Sequence, residues 1–359
     1  MLVYLLIFLF AAFLYFKSEK ENQFILFYVF AAFYILVSGF RDMIGGFDVY
    51  IYGEVFEAPK EFILAYKSFE KGFAFYFVLL KGISNNRSFM FFMTALIMTL
   101  LHFRAIKNLS PLVYFSGFIF FCKFFLMSFV YLRQGLAMGI IWLAIPYIQD
   151  KKYIKFFGLV FIACFFHKSS LVFIPLYFYG NTNIKNIQLL LFTIILAIIT
   201  ISPLGNLITT AFSEETDNAQ LLLYSSQSSG VNFFYLIEII VLTILTLNFR
   251  NEFYKNKEST IVLNGLVGYI MIVIMGITNA TFIRFSWYYL IFVVLAFPYM
   301  YTFINDQKNK QTFKLLVFFY FALLFFRLLI SYDGGDLLPY KSIFQDFERN
   351  GMWEFMEYR

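Results

Sequence analysis

An all-α polytopic integral membrane protein in a single domain, 1–359, is what this sequence predicts, on three observations. Hydrophobic residues make up 61% of the chain and charged residues only 14%, against roughly 25% charged in a soluble domain. Apolar runs recur from one end to the other. Short basic breaks separate them, and such breaks are how membrane topology is written. The net charge of +6 therefore belongs to loops and does not point to nucleic acid.

About twelve spans are expected. They fall at roughly 2–16, 23–40, 88–103, 109–132, 134–149, 153–166, 169–180, 187–209, 233–249, 260–279, 282–303 and 313–331. The first lacks a basic start and a small-residue cleavage site, so it reads as a helix and not a signal peptide. Lys17 and Lys20 mark the first break, Arg104 and Lys107 another, then Lys151, Lys152 and Lys155. Lys185 follows, then Arg250, Lys255 and Lys257, then Lys308, Lys310 and Lys314. Twelve spans put all of these on one side, the cytoplasm, with both termini outside. The stretch GFAFYFVLLKGIS, 72–84, is short for a span. It is read as an interfacial or re-entrant helix, because Lys17 and Lys20 then obey the basic-loop rule. The outer face collects 41–87, the Arg133 junction, the His167 turn, 210–232, the Asn279–Arg284 turn and the tail from Ser331. Cys122 and Cys164 lie inside apolar runs, so no disulfide framework or metal site is visible. There is no internal repeat.

Four polar constellations interrupt the apolar pattern. In FVYLRQGLAMGI, 129–140, Arg133 and Gln134 stand at the join of two runs. A guanidinium costs about 2.5–3.5 kcal/mol at a helix centre and less at an end, where it snorkels. Arg133 reads as a helix-end anchor or as a ligand for phosphate or carboxylate oxygens, which its donor fork grips in pairs. Its outer position, where cations are few, and Gln134 beside it favour the second. Gly135, Ala137 and Gly139 follow and permit close approach by a helix or a lipid. In SGFRDMIGGFDVYIYGEVFE, 38–57, Gly45–Gly46 signals a turn, and Asp48, Tyr50, Tyr52 and Glu54 alternate with apolar residues. This is a solvated loop anchored by Arg41, or a polar wall at the mouth of a cavity. In the second case Tyr50 and Tyr52 stack on sugars and Asp48 orients or deprotonates a hydroxyl.

CFFHKSSLVFIP, 164–175, holds His167 and Lys168, a packing or capping feature or an acid–base and phosphate-contact turn. Ser169 and Ser170 suit a cap of the next helix. NATFIRFSWYYL, 279–290, sets Arg284 before Trp287, Tyr288 and Tyr289, an interfacial aromatic belt or a further anion ligand. Glu70–Lys71 reads as an anchor for the short helix, and Glu238 stands alone in an apolar run. The sequence contains no G-x-x-x-x-G-K-[ST] loop, no H-E-x-x-H, no Asp-X-Asp pair and no calcium loop. Arginines, not a metal, are expected to supply the electrostatics, and no cofactor is expected.

SGFRD…GGFDVYIY (38–52), FEKGF (69–73), YLRQGLAMGIIWLA (131–144) and FFHKSSLVFIP (165–175) occur in that order, followed by RFSWYY (284–289) and Pro339–Tyr340. Together they resemble the EpsG family of bacterial polysaccharide polymerases, which is related to the Wzy-type O-antigen polymerases. The resemblance covers about the whole chain. It implies a helical, metal-independent polymerase or ligase-like (GT-C-like) bundle with an outer-face cavity in the bacterial plasma membrane. The implied reaction joins oligosaccharide repeat units carried on undecaprenyl diphosphate, releasing that carrier at the extracytoplasmic side. Such chemistry builds exopolysaccharide, capsule or O-antigen. Arg133, then Arg284 and Arg41, are expected to stabilise the departing diphosphate. Asp48, then His167, are expected to serve the acceptor hydroxyl. Gln134, Tyr50 and Lys168 are expected to position sugar or phosphate. The implied partners are the lipid-linked oligosaccharide, membrane lipids and a chain-length regulator.

Three other classes compete. A flippase or other transporter would show repeats and broken midplane helices. An integral-membrane O-acyltransferase would use His167 and need an acyl-donor site. A structural anchor gives no reason for outer-face arginines.

Overall fold

The structure, a computed structural model, describes residues 1–17, 24–202, 232–278, 280–331 and 337–345. Among these, all regular structure is helical, and β pairing is confined to one isolated antiparallel bridge, Arg41 with Ser342. In chain order the α-helices are α1 (Leu2–Lys17), α2 (Phe24–Gly39), α3 (Phe47–Glu57), α4 (Lys60–Ala65), α5 (Lys71–Lys81) and α6 (Arg87–Leu109). Then come α7 (Val113–Phe124), α8 (Leu132–Trp142), α9 (Ile145–Gln149), α10 (Tyr153–Phe166), α11 (Pro175–Tyr179) and α12 (Asn186–Ile201). The last five are α13 (Phe233–Phe253), α14 (Lys257–Met275), α15 (Ala280–Ser286), α16 (Leu290–Phe303) and α17 (Gln307–Ser331). Short 3-10 turns occupy Met127–Phe129, Lys168–Phe173 and Trp287–Tyr289.

Five helices are long and apolar enough to cross a membrane: Arg87–Leu109, Phe233–Phe253, Lys257–Met275, Phe282–Phe303 and Gln307–Ser331. Five more apolar helices, including α1, α2 and α7, are shorter. The run 72–84 forms α5, whose 11 residues reach about 16 Å, half of a hydrocarbon core of about 30 Å. The region 38–57, read as a loop or wall, contains the helix α3. Its alternation of polar and apolar residues misleads, because Asp48 and Tyr52 lie one helical turn apart. The 210–231 loop, Lys20, Asn279 and the tail segments 332–336 and 346–359 lie outside the described residues.

The chain groups into two compact units. The first comprises Met1–Leu143, Leu159–Lys168 and Ile304–Arg359. Its core is built by α1, α7 and α17 through rings: Phe8 stacks on Phe325 at 5.5 Å, and Phe121 meets Phe325 at 4.9 Å. Aromatic pairs of this kind add to area burial, and the chain's 54 phenylalanines are spent largely on them. α8 packs on α6 through its glycines. A Cβ on Gly139 would lie 2.7 Å from Leu101 Cβ, and one on Gly135 would strike Met98. The small-residue stripe after Arg133 thus receives a neighbouring helix.

The second unit comprises Ala144–Gly158 and Ser169–Phe303. Asn264, fully buried on α14, organises it. Its Nδ2 donates to the carbonyls of Tyr179, Gly180 and Thr182 at 2.7–3.0 Å, and its Oδ1 accepts from Tyr254 Oη at 3.1 Å. Arg250 Nε donates to Ile184 O at 2.6 Å. The loop between α11 and α12 would otherwise leave these carbonyls without partners. An apolar cavity of about 690 Å³ lies within this unit, lined among others by Val172, Tyr179, Leu196, Met271 and Tyr289.

Candidate active site

In the first unit the chain converges on one carboxylate, Glu70. Gly45 and Gly46 take φ values of 129° and 86°, a region that costs glycine little, and this turn starts α3. The far end of α3 is held by Lys81, whose Nζ donates to Phe56 O at 2.8 Å and Glu57 O at 3.1 Å. Between them Tyr52 is buried against Phe69, Phe73 and Phe77. Glu70 is the residue before α5. Gly72, in the first turn, lets α5 touch the end of α10: a Cβ there would stand 2.5 Å from Phe165 Cβ and 2.7 Å from its carbonyl oxygen. That close approach delivers Glu70 to His167, two residues beyond Phe165. α8 begins at Leu132 and supplies Arg133.

Both carboxylate oxygens are engaged. Oε2 accepts from Arg133 Nη1 at 2.8 Å. Oε1 accepts from His167 Nδ1 at 2.7 Å and from the backbone N–H of Lys168 at 3.2 Å. Arg133 Nη1 also donates to Ser68 O at 2.6 Å, and its Nε donates to Tyr52 Oη at 3.3 Å. The guanidinium lies 5.4 Å from the Phe69 ring centroid. Burial alone would raise the Glu70 carboxyl. The hydrogen bond and charge of His167, followed by the charge of Arg133, outweigh it and hold the group down to about 2. The carboxylate is therefore an anion at neutral pH, and His167 Nδ1 is the donor. The Glu70 side chain is 10% exposed, and those of Arg133 and His167 are 23% and 27% exposed. Arg133 Nη2 makes no hydrogen bond among the described residues, so half of its fork is open at a partly accessible rim.

Of the expected site residues, the structure brings Arg133, His167 and the Lys168 backbone together around Glu70. Asp48 stands one turn before Tyr52 and acts on its phenol through charge. It is half-buried and makes no hydrogen bond or ion pair among the described residues. The Lys168 side chain is exposed, and Gln134 is buried. Tyr50 and Tyr52 are both buried, so neither presents a ring face to a sugar in this conformation. Arg41 is enclosed at 1% exposure. It donates to the carbonyls of Ser38 and Phe129 and packs over the Phe91 and Phe129 rings. Its bonds tie the end of α2 to the turn before α8, and no face of it is open to a diphosphate. Arg284 is half-buried on α15 in the second unit, where the Ser169 and Tyr288 hydroxyls pair at 2.9 Å. Among the described residues no group of three or more His, Cys, Asp or Glu could hold a metal ion.

A family model matches residues 24–342, a span that holds Arg41, Glu70, Arg133, His167 and Arg284 and ends at the Ser342 bridge. The chain belongs to the EpsG family. Membership makes it a polysaccharide polymerase-like membrane protein, in keeping with the all-helical fold and the five long apolar helices. No curated protein and no solved structure matches it.

The residue that sequence reasoning passed over is Glu70. It reads as a helix anchor because it stands beside Lys71 at the start of a short apolar helix. The available signal was electrostatic: Glu70 lies in a segment assigned to the same face as Arg133 and His167, and partly buried cations need a counter-charge.

Proposed function

We propose that the protein is a metal-independent glycosyltransferase that joins oligosaccharide repeat units carried on undecaprenyl diphosphate, at the extracytoplasmic face of the bacterial plasma membrane. The observation that carries this reading is the Arg133–Glu70–His167 cluster, which sits inside the matched family region. Glycosyl transfer from a lipid diphosphate needs two things. Negative charge growing on the departing diphosphate must be stabilised, and a proton must be taken from the acceptor hydroxyl. Arg133 supplies the first through its open Nη2, with its Nη1 and Nε already fixed by Glu70, Ser68 and Tyr52. A guanidinium held in advance loses little order when the charge develops. Asp48 and His167 are the groups available for the second. Lys168 serves as a further phosphate contact. The carrier is the partner this reading requires, together with a GT-C-like bundle of about twelve spans.

The test uses cells that depend on this protein for polymer. Arg133→Ala should insert normally and leave single repeat units in place of a ladder. A normal ladder from the well-expressed variant would remove Arg133 from the mechanism. Cysteine at position 48 or 167 should react with a membrane-impermeant reagent in intact cells. Labelling only after permeabilisation would overturn the topology.

A further inference from the structure

We infer that Glu70 is a positioning residue that fixes the imidazole of His167, making His167 Nε2 the proton acceptor for the attacking sugar hydroxyl. The inference deepens the polymerase reading and rests on it for the substrate.

Geometry supplies the argument. An imidazole has one donor and one acceptor nitrogen when neutral, and the partner of one nitrogen decides the character of the other. His167 Nδ1 lies 2.7 Å from Glu70 Oε1. The carboxylate accepts only, so the hydrogen is on Nδ1 and the lone pair is on Nε2. The ring is fixed as well as the tautomer. Glu70 is itself clamped by Arg133 Nη1 on its other oxygen and by the Lys168 N–H on the shared one. The contact of Gly72 with Phe165 sets the spacing of the two backbones. Glu70 is poorly suited to take the proton itself, because the Arg133 guanidinium, the His167 Nδ1–H and the Lys168 backbone N–H already stabilise its anion. Among the described residues, Asp48 makes no hydrogen bond or ion pair that would orient its carboxylate. Among the described residues, the charged and titratable groups around the ring include Glu70 in direct contact, Arg133 from α8 behind it, Tyr52 and Asp48 from α3, and Lys168 on the same turn.

The step balances without a further reagent. The acceptor oxygen forms a bond to the donor anomeric carbon as the bond from that carbon to the diphosphate oxygen breaks. The electron pair of the broken bond stays on the diphosphate, facing Arg133. The hydroxyl proton passes to His167 Nε2, and the resulting imidazolium is balanced by Glu70. Deprotonation to solvent then restores the site.

The chain has only two histidines, so histidine-specific 15N labelling of the full-length protein in lipid nanodiscs gives two imidazoles, and His102→Gln identifies the signal of His167. In the otherwise unaltered protein His167 should hold hydrogen on Nδ1 when neutral. Glu70→Gln should lower its titration midpoint by about one pH unit, as expected for loss of an adjacent opposite charge. With a lipid-linked repeat unit as substrate, His167→Asn should reduce kcat by about 10²–10⁴-fold, the usual worth of a general base, with KM little changed. Glu70→Gln should shift the acidic limb of the rate profile in the same direction as the midpoint. Hydrogen on Nε2, a midpoint unmoved by Glu70→Gln, or full turnover by His167→Asn would each overturn the inference. Failure of the unsubstituted protein to extend the substrate would instead count against the polymerase reading, and the spectra would still judge the Glu70–His167 pair.

Discussion

Acid should loosen the first unit through Glu70, and the size of the effect follows from its surroundings. A free glutamate ionises near 4.5, and the folded one near 2. Burial opposes the ionised form, but the hydrogen bond and charge of His167, and then Arg133, more than compensate. The folded value lies below the unfolded value, so the stabilisation is complete above the unfolded pKa and is lost as pH falls toward the folded one. The gap corresponds to about 3 kcal/mol at neutral pH, at about 1.4 kcal/mol per tenfold change in proton affinity. The side chain is 10% exposed, so solvent screening discounts this little. About 2 kcal/mol of it should be gone by roughly pH 3. The two proteins share every other titrating group, so the difference between their curves, and not either curve alone, reports the Glu70 carboxylate. At roughly 2–4 °C per kcal/mol for a unit of this size, the midpoint of thermal unfolding in detergent should fall by about 4–8 °C more than in Glu70→Gln between about pH 6 and pH 3. The assay is unfolding followed by size-exclusion fluorescence on both proteins across that range. Parallel curves for the two would show that Glu70 carries no such linkage and that the ion cluster is an incidental contact.

Two other perturbations test the frame around the cluster. Gly72→Val should separate α5 from α10, because its Cβ would fall 2.5 Å from Phe165 Cβ. Overpacking of this kind costs roughly 1–3 kcal/mol, and a histidine spectrum indifferent to Glu70 substitution in that variant would confirm the separation. Asn264→Ala removes three donated hydrogen bonds and the acceptor for Tyr254. Stranding buried polar groups costs roughly 1–3 kcal/mol, so unfolding should come several degrees earlier, and proteolysis should open first at the loop between α11 and α12.

Helix positions were legible because apolar length is written in composition. α5 follows the run 72–84 to within three residues, whereas α6 continues past the expected 88–103, through Arg104 and Lys107, to Leu109. α3 was not legible as a helix, since its polar residues alternate. Tyr52 turns inward against Phe69, Phe73 and Phe77 because those rings arrive from a segment some 20 residues later. Arg133 and His167 stood out as polar residues in apolar surroundings, and the structure joins them. Arg41 stood out equally, yet two carbonyls and two rings consume its side chain. A sequence shows that a guanidinium lies among apolar residues. Whether its partners are backbone or substrate depends on which turn packs against it.

The same distinction separates the two carboxylates of this region. Asp48 and Glu70 belong to neighbouring elements of one unit, but among the described residues Asp48 makes no hydrogen bond or ion pair, whereas Glu70 is held by Arg133, the His167 Nδ1–H and a backbone N–H. Neighbouring acids kept in different environments take different tasks. Glu70 cannot move a proton without giving up the charge that orders Arg133 and His167, so it suits a fixed role. Asp48 is half-buried beside the Tyr52 phenol that accepts from Arg133, and on the polymerase reading it is the carboxylate that would meet the sugar hydroxyls. On the proposed reaction, such a site would bind the acceptor at α3 and move the proton at the α10 turn. Asp48→Asn should therefore raise KM for the acceptor more than it lowers kcat, while His167→Asn does the reverse. If Asp48→Asn abolishes kcat at saturating acceptor, the base is Asp48, and the division of labour drawn from the geometry is wrong.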